Sequence, residues 1–302
     1  MQILYAYNRD ESLSEEEVYK EYWRRIDSSF ELLLFSLYGI MQITKSASDD
    51  YEKRKAKHLP TDLDKIFTPK LWDNVIIQDL ARNGFMNQKF EKAGFAQKVD
   101  KDHFKTIYNE FAKQEVYTEY ISKETSVDET LEMLLELFRF CRNNEIFVEL
   151  IEDQYANWED DKSLIIGTIK KVLKALPADD DSKAIMAYYP EAETTKDYGE
   201  FLLKKTFEED KALLGLIEPV LQNWDADRVA ILDMVMIKMA LCELLYCTTI
   251  PAKVTLNEYV DLAKAYSTSK SKEFVNGILD RIMQDLKTKN LLIKEGRGLV
   301  DD

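Results

Sequence analysis

Residues 225–286 read DADRVAILDMVMIKMALCELLYCTTIPAKVTLNEYVDLAKAYSTSKSKEFVNGILDRIMQDL. Three apolar-periodic segments follow one another with short breaks. Leu232, Val235, Met236, Met239 and Ala240 recur at i, i+3, i+4, i+7 and i+8, one broad stripe of a helix. The chain then breaks at residues 247–251, where Pro251 lacks an N–H and biases Ile250 away from helical angles. Thr255 followed by Glu258 has capping-box spacing, so a second helix is expected from Thr255 to about Tyr266. After a polar break at residues 267–269, Ser271 is expected to cap a third helix carrying Phe274, Val275, Ile278, Leu279 and Ile282. Three helices in sequence, with no alternating segment between them, predict an all-α fold.

The pair Asn276-Gly277 is a hairpin signal in other settings, but here it sits inside the third helical pattern. Glycine within a helix costs about 1 kcal/mol relative to alanine. Tight packing of another helix, or close approach of a ligand backbone, accounts for its presence.

Composition agrees with long helices: 9 glycines and 6 prolines are few for 302 residues. No apolar run is expected to span a bilayer, and the opening MQILYAYNRDES lacks a basic segment and a cleavage site. Cys141, Cys242 and Cys247 are odd in number and read as reduced thiols of a cytoplasmic protein. The net charge of -15 is awkward for a nucleic-acid binder, yet residues 225–302 hold 12 acidic and 11 basic side chains, close to neutral. The acidic remainder suits a basic protein partner.

Ser14 and Glu17 form another capping-box pair, followed by a long helix through Tyr22, Ile26, Phe30, Leu33, Leu34, Leu37 and Ile40. The charged run at residues 51–58 reads as a solvated helix face or loop. Further helices are expected over 100–120, 126–141, 144–155, 163–176 and 196–222, the last kinked by Pro219. PADDDSK, residues 177–183, is the expected linker, and the tail from Lys294 a loose or pairing segment. These readings divide the chain into an acidic helical region at 1–183, including the first helix, and a helical bundle with its tail at 184–302.

No catalytic chemistry is legible. His58 and His103 stand apart from any Cys or acid cluster with metal-ligand spacing, and no Gly-rich phosphate loop, nucleophile elbow or paired-Cys motif occurs. The expectation is a non-enzyme without cofactor or metal.

IPAKVTLNEYVDLAK at 250–264, SKEFVNGILDR at 271–281 and the preceding ILD…MALCEL helix together closely resemble the NusB family of transcription antitermination factors. Gln2-Ile3-Leu4-Tyr5 is similar to the family's Gln-x-Leu-Tyr on its first helix. The resemblance covers the last third of the chain and leaves 45–190 as an insertion of a kind familiar in long members. It implies NusB-like helical bundles and antitermination on ribosomal RNA operons. The implied partners are the ribosomal protein NusE, single-stranded boxA RNA and the RNA polymerase elongation complex. An arginine-rich arm usually precedes the Gln-x-Leu-Tyr block, whereas this sequence opens inside the expected helix, so either the start lies upstream or the arm is missing.

The candidate RNA-binding residues are Gln2, Tyr5, Asp233, Lys238, Lys253, Lys270, Ser271, Lys272, Phe274 and Asn276, of which the resemblance itself places Asp233 near the RNA and ribosomal-protein face. Lys253, Lys270 and Lys272 either hold phosphates at helix starts or are ordinary surface lysines. Phe274 either stacks on a splayed base or fills the core, Tyr5 has the same two readings, and Asn257 reads as a cap or bridge. Three positions depart from the family: Lys238 for the usual arginine, Cys242 for a common tyrosine, and Lys270 where many members have an acid. The competing reading is an acidic helical adaptor making protein contacts only.

Overall fold

The computed structural model describes residues 1–10, 12–221 and 228–295. Gln222, where a helix is expected to end, residues 225–227 of the opening stretch, and the tail beyond Glu295 lie outside these. All regular structure among the described residues is helical, so the fold is all-α. The chain packs as two compact units: residues 25–190, and residues 1–24 together with 191–302.

Helices α1 (Gln2–Arg9) and α2 (Glu15–Lys55) open the chain. Ser14 and Glu17 exchange the two hydrogen bonds of a capping box, which fixes the start of α2. This helix runs 41 residues, well past Ile40, because the charged run at its end continues the helical ladder. By length and composition α2 can cross a membrane, contrary to the expectation from the sequence, but 67% of its apolar window is buried within the protein.

In the unit of residues 25–190, α2 is the central rod. Leu32, Phe35, Leu37, Ile40 and Ile43 are among its fully buried positions. Around it lie α3 (Asp62–Ile66), α4 (Val75–Arg82), α5 (Gly84–Ala93), α6 (Phe95–Lys98), α7 (Lys101–Phe111), α8 (Glu115–Ser122), α9 (Val127–Cys141), α10 (Glu145–Glu152), α11 (Trp158–Ala175) and α12 (Lys183–Met186). The region expected as one helix at 100–120 is two, α7 and α8. Rings of Phe35, Tyr38, Phe90, Phe95 and Phe104 meet edge-on or tilted around α2. The segment 177–183 is no linker. Ala178 N–H donates to Asp79 at 3.0 Å, Gly84 N–H to Asp181 at 2.9 Å, and Asn83 to the Asp181 carbonyl at 3.1 Å, which pins the segment to α4 and α5.

Asp64 fastens α3 to the end of α2. Lys57 donates to it at 2.9 Å, Arg54 at 3.1 Å, and the Thr61 N–H and hydroxyl cap it locally. The Lys57 hydrogen bond and the two from Thr61 hold this carboxyl well below the usual carboxylate range. A depressed folded-state pKa adds stability above the unfolded value and loses it as pH falls toward the folded one. Asp64→Asn is therefore expected to lower the melting temperature at neutral pH, with the gap to the parent closing as the melts are taken below about pH 4.

In the other unit, α1 and residues 15–24 pack with the C-terminal helices, whereas the sequence alone groups them with the insertion. The reason is apolar: Leu4 and Val18 share a buried cluster with Leu203 and Val235. A π-helix (Glu193–Glu200) opens the C-terminal part, followed by α13 (Phe201–Glu208) and α14 (Asp210–Leu221). These take the place of the single helix expected over 196–222. The Tyr22 hydroxyl donates to the Thr195 carbonyl at 2.6 Å. A Cβ on Gly199 would lie 2.2 Å from that hydroxyl, so a side chain there would displace the Tyr22 ring. Then come α15 (Ile231–Tyr246), α16 (Ala252–Tyr266) and α17 (Ser271–Thr288), packed on one another.

Helix α16 starts at Ala252, three residues before the expected capping box. Pro251 is its N-cap, and Thr255 is buried inside the helix, where its hydroxyl donates to Glu243 at 2.6 Å. Glu243 also accepts from the Tyr198 hydroxyl. Burial, and then the Glu243 carboxylate, push the Tyr198 phenol above its ordinary range, so the proton stays on tyrosine. The motif glutamate thus joins the π-helix, α15 and α16.

Candidate nucleic-acid interface

Helix α17 carries the densest part of the motif. Its buried positions Ser271, Val275, Ile278, Leu279, Ile282 and Leu286 form one stripe that faces the bundle. At 100° per residue, Lys270, Phe274, Gly277 and Arg281 fall within about 60° of one another on a neighbouring strip, at i, i+4, i+7 and i+11. Lys270, Gly277 and Arg281 are exposed, while Phe274 is half-buried with one side against the core. The strip is about 16 Å long. Two cations flank an aromatic ring and a backbone without a side chain.

Gly277 is not explained by tight packing: a Cβ there would meet nothing within 4 Å. The position is a gap in an open helix face. Gly277→Ala is therefore expected to stabilise the protein by about 0.5–1 kcal/mol through helix propensity alone. Chemical denaturation checks this, and a destabilised variant would show that the open space is filled.

Asp233 is not on the surface. It is buried in the first turn of α15, accepting from Ser267 at 2.6 Å and from Ser271 at 2.7 Å. Ser271 is buried too. It is the first residue of α17, not its cap, and its hydroxyl is spent on Asp233 and not on the N–H groups of its own helix. Both residues position the start of α17, and neither is placed to touch a ligand. The Thr268 hydroxyl, 2.9 Å from that of Ser271, extends the same cluster.

Lys238 is removed from the strip by its ion pair with Asp210 on α14, its side chain 12% exposed. Lys253 is exposed at the start of α16, one helix length, about 20 Å, from the start of α17 that carries Lys270 and Lys272. The three lysines thus do not form one cluster at a single helix start. Lys272 lies about 160° around α17 from Phe274 and shares an exposed edge with Asn276. Gln2 and Tyr5 are exposed on one side of α1, whose opposite side buries Leu4 against Val235. Asn257 is exposed on α16 and is not a buried bridge.

Two members of the strip, Arg281 and Gly277 as an open face, escape a reading of residues taken singly. The helical spacing that joins them to Lys270 and Phe274 is present in the sequence. Asp233 and Glu243 escape it for a different reason. A motif acid looks alike in sequence whether it meets a ligand or ties helices together.

The NusB family profile matches residues 160–284. A transcription antitermination protein NusB of Salinibacter ruber is 34% identical over 155 residues, covering 50% of this chain and 87% of the relative. Its counterpart in Chloroherpeton thalassium is 49% identical over 79 residues, 26% of this chain but 37% of the relative. A solved structure of T. maritima NusB is 23% identical, covers 54% of this chain and 94% of its own, and superposes with a TM-score of 0.28. With 34% identity across most of the Salinibacter protein, and with the helices that bear the motif blocks held together by the motif's own acids, the chain belongs to the NusB family.

Proposed function

We propose that this protein is a transcription antitermination factor that binds boxA-type single-stranded RNA together with the ribosomal protein NusE, in the cytoplasm and without a catalytic step. Family membership supports antitermination; action on ribosomal RNA operons, within the RNA polymerase elongation complex, is part of this proposal and rests on the resemblance of the motif blocks. The observation that carries RNA binding is the α17 strip. Single-stranded RNA is read by stacking bases on aromatic rings while cations hold phosphates, and Phe274 between Lys270 and Arg281 offers both. A side-chain-free step at Gly277 lets a sugar-phosphate backbone approach the helix.

The net charge of -15 favours recruitment of a basic companion, which lends the phosphate contacts an acidic body does not supply. It also supports the second reading, an adaptor that binds the basic protein and leaves RNA alone. Titrating a boxA-like RNA oligomer with and without the ribosomal protein separates the two. Cooperative ternary binding is expected. Protein–protein binding with no RNA affinity at low salt in either case would leave the adaptor.

A further inference from the structure

In the unit of residues 25–190, the turn after α2 displays apolar side chains to solvent. Leu59 is 90% exposed, Leu63 52% and Ile66 47%. The display is rigid, since Asp64, between Leu63 and Ile66, is gripped by Arg54 and Lys57 and closed by the Thr61 capping box. Leu63 and Ile66, three residues apart on α3, share a side. Residues 52–66 carry five Lys or Arg against three Asp or Glu; Arg54 and Lys57 are held by Asp64, and Lys65 by Asp62, so Lys53 and Lys55 supply the positive charge of this edge. The result is a fixed apolar knob with a cationic rim.

The same unit holds its complement. A cavity of about 590 Å³ opens between the ends of α7 and α9 and the starts of α8 and α10. Phe111, Phe140 and Ile146 supply its apolar lining, and Glu110, Glu136 and Glu145 its acids, against the single cation Arg139, already paired with Glu136. We propose that the knob of one copy of this chain seats in the cavity of a second copy, giving a self-associating insertion. Apolar side chains this exposed gain from being covered, and opposite rims fix the orientation. A second copy suits the knob better than an anionic lipid surface, which the chain's overall negative charge repels.

Sedimentation velocity of the full chain across micromolar to sub-millimolar concentration tests this. The weight-average mass is expected to rise with concentration, less so at high salt. Leu59→Asp on the knob and Glu145→Lys on the cavity rim should each raise the dissociation constant by at least about tenfold. Both positions are exposed, and circular dichroism verifies that the variants fold. Mixing the two weakened variants pairs an intact knob with an intact cavity and should restore a heterodimer. The inference is overturned if the parent stays monomeric throughout, including if it instead pellets with vesicles of anionic phospholipid. It is equally overturned if either variant associates like the parent, or if the mixture remains monomeric.

Discussion

Asp233→Ala is expected to destabilise the C-terminal bundle by about 2–4 kcal/mol. The carboxylate accepts two short hydroxyl bonds, from Ser267 and Ser271, and all three residues are buried or half-buried. Hydrogen bonds to a charged group contribute about 1.5–3 kcal/mol each, and a buried hydroxyl left without a partner costs about 1–3 kcal/mol. The acid also stands in the first turn of α15, where the helix dipole adds about 0.3–1 kcal/mol. These contributions overlap, because the freed serines can turn to each other, being 2.8 Å apart. Even the lower end is a large share of a typical net stability of about 5–15 kcal/mol. Asp233→Asn should recover about half the loss, since its carbonyl keeps one hydroxyl and its amide can donate to the other. Denaturant midpoints measure both variants. An alanine variant with the parent's midpoint would mean the cluster holds nothing.

The effect should be local as well. Ser267 ends α16 and Ser271 begins α17, so the carboxylate holds the joint between the two helices. Without it the start of α17 frays, and amide exchange at residues 271–275 should speed up before the rest of the helix responds. Loss of a motif acid can therefore reduce ligand binding although the acid never touches the ligand.

The apolar rows of α15, α16 and α17 are regular, and period alone gives their type and order. What the period does not carry is where hydroxyls and acids go. Thr255 and Glu258 have capping spacing, but Pro251 already starts the helix one turn earlier, and the Thr255 hydroxyl finds a buried carboxylate from another helix. Ser271 likewise reads as a cap and serves Asp233. Long-range partners of this kind leave no spacing signal, since Asp233 and Ser271 are 38 residues apart. The packing of α1 is hidden for a related reason: eight residues are too few to show which core they join. Gly277 illustrates the converse. Its cost to the helix is visible in sequence, but only the surroundings separate tight packing from an open face.

Phe274→Ala is expected to weaken boxA-like RNA binding by about 1–3 kcal/mol, roughly 5- to 150-fold, the range for losing one base–aromatic stack. Its half-buried ring also packs on the core, so the variant must lose some stability. Phe274→Leu separates the two effects, because it keeps most of the apolar packing but gives a base no aromatic face. Cations on either side report through salt. Removing one cation from a phosphate should flatten the dependence of log affinity on log salt by about 0.7 for a single strand. Lys270→Gln and Arg281→Gln should therefore each reduce the slope by about that much, leave stability within about 0.5 kcal/mol, and add when combined. Lys238→Gln is the matched control: it removes the same charge, but from a lysine committed to Asp210, and should leave the slope unchanged. Gly277→Ala supplies the sharpest contrast, since a steadier fold with weaker RNA binding would mean the bare backbone is kept for the ligand. If Lys238→Gln lowers the slope as much as Arg281→Gln, the electrostatic attraction is diffuse and the α17 strip is not the reading surface.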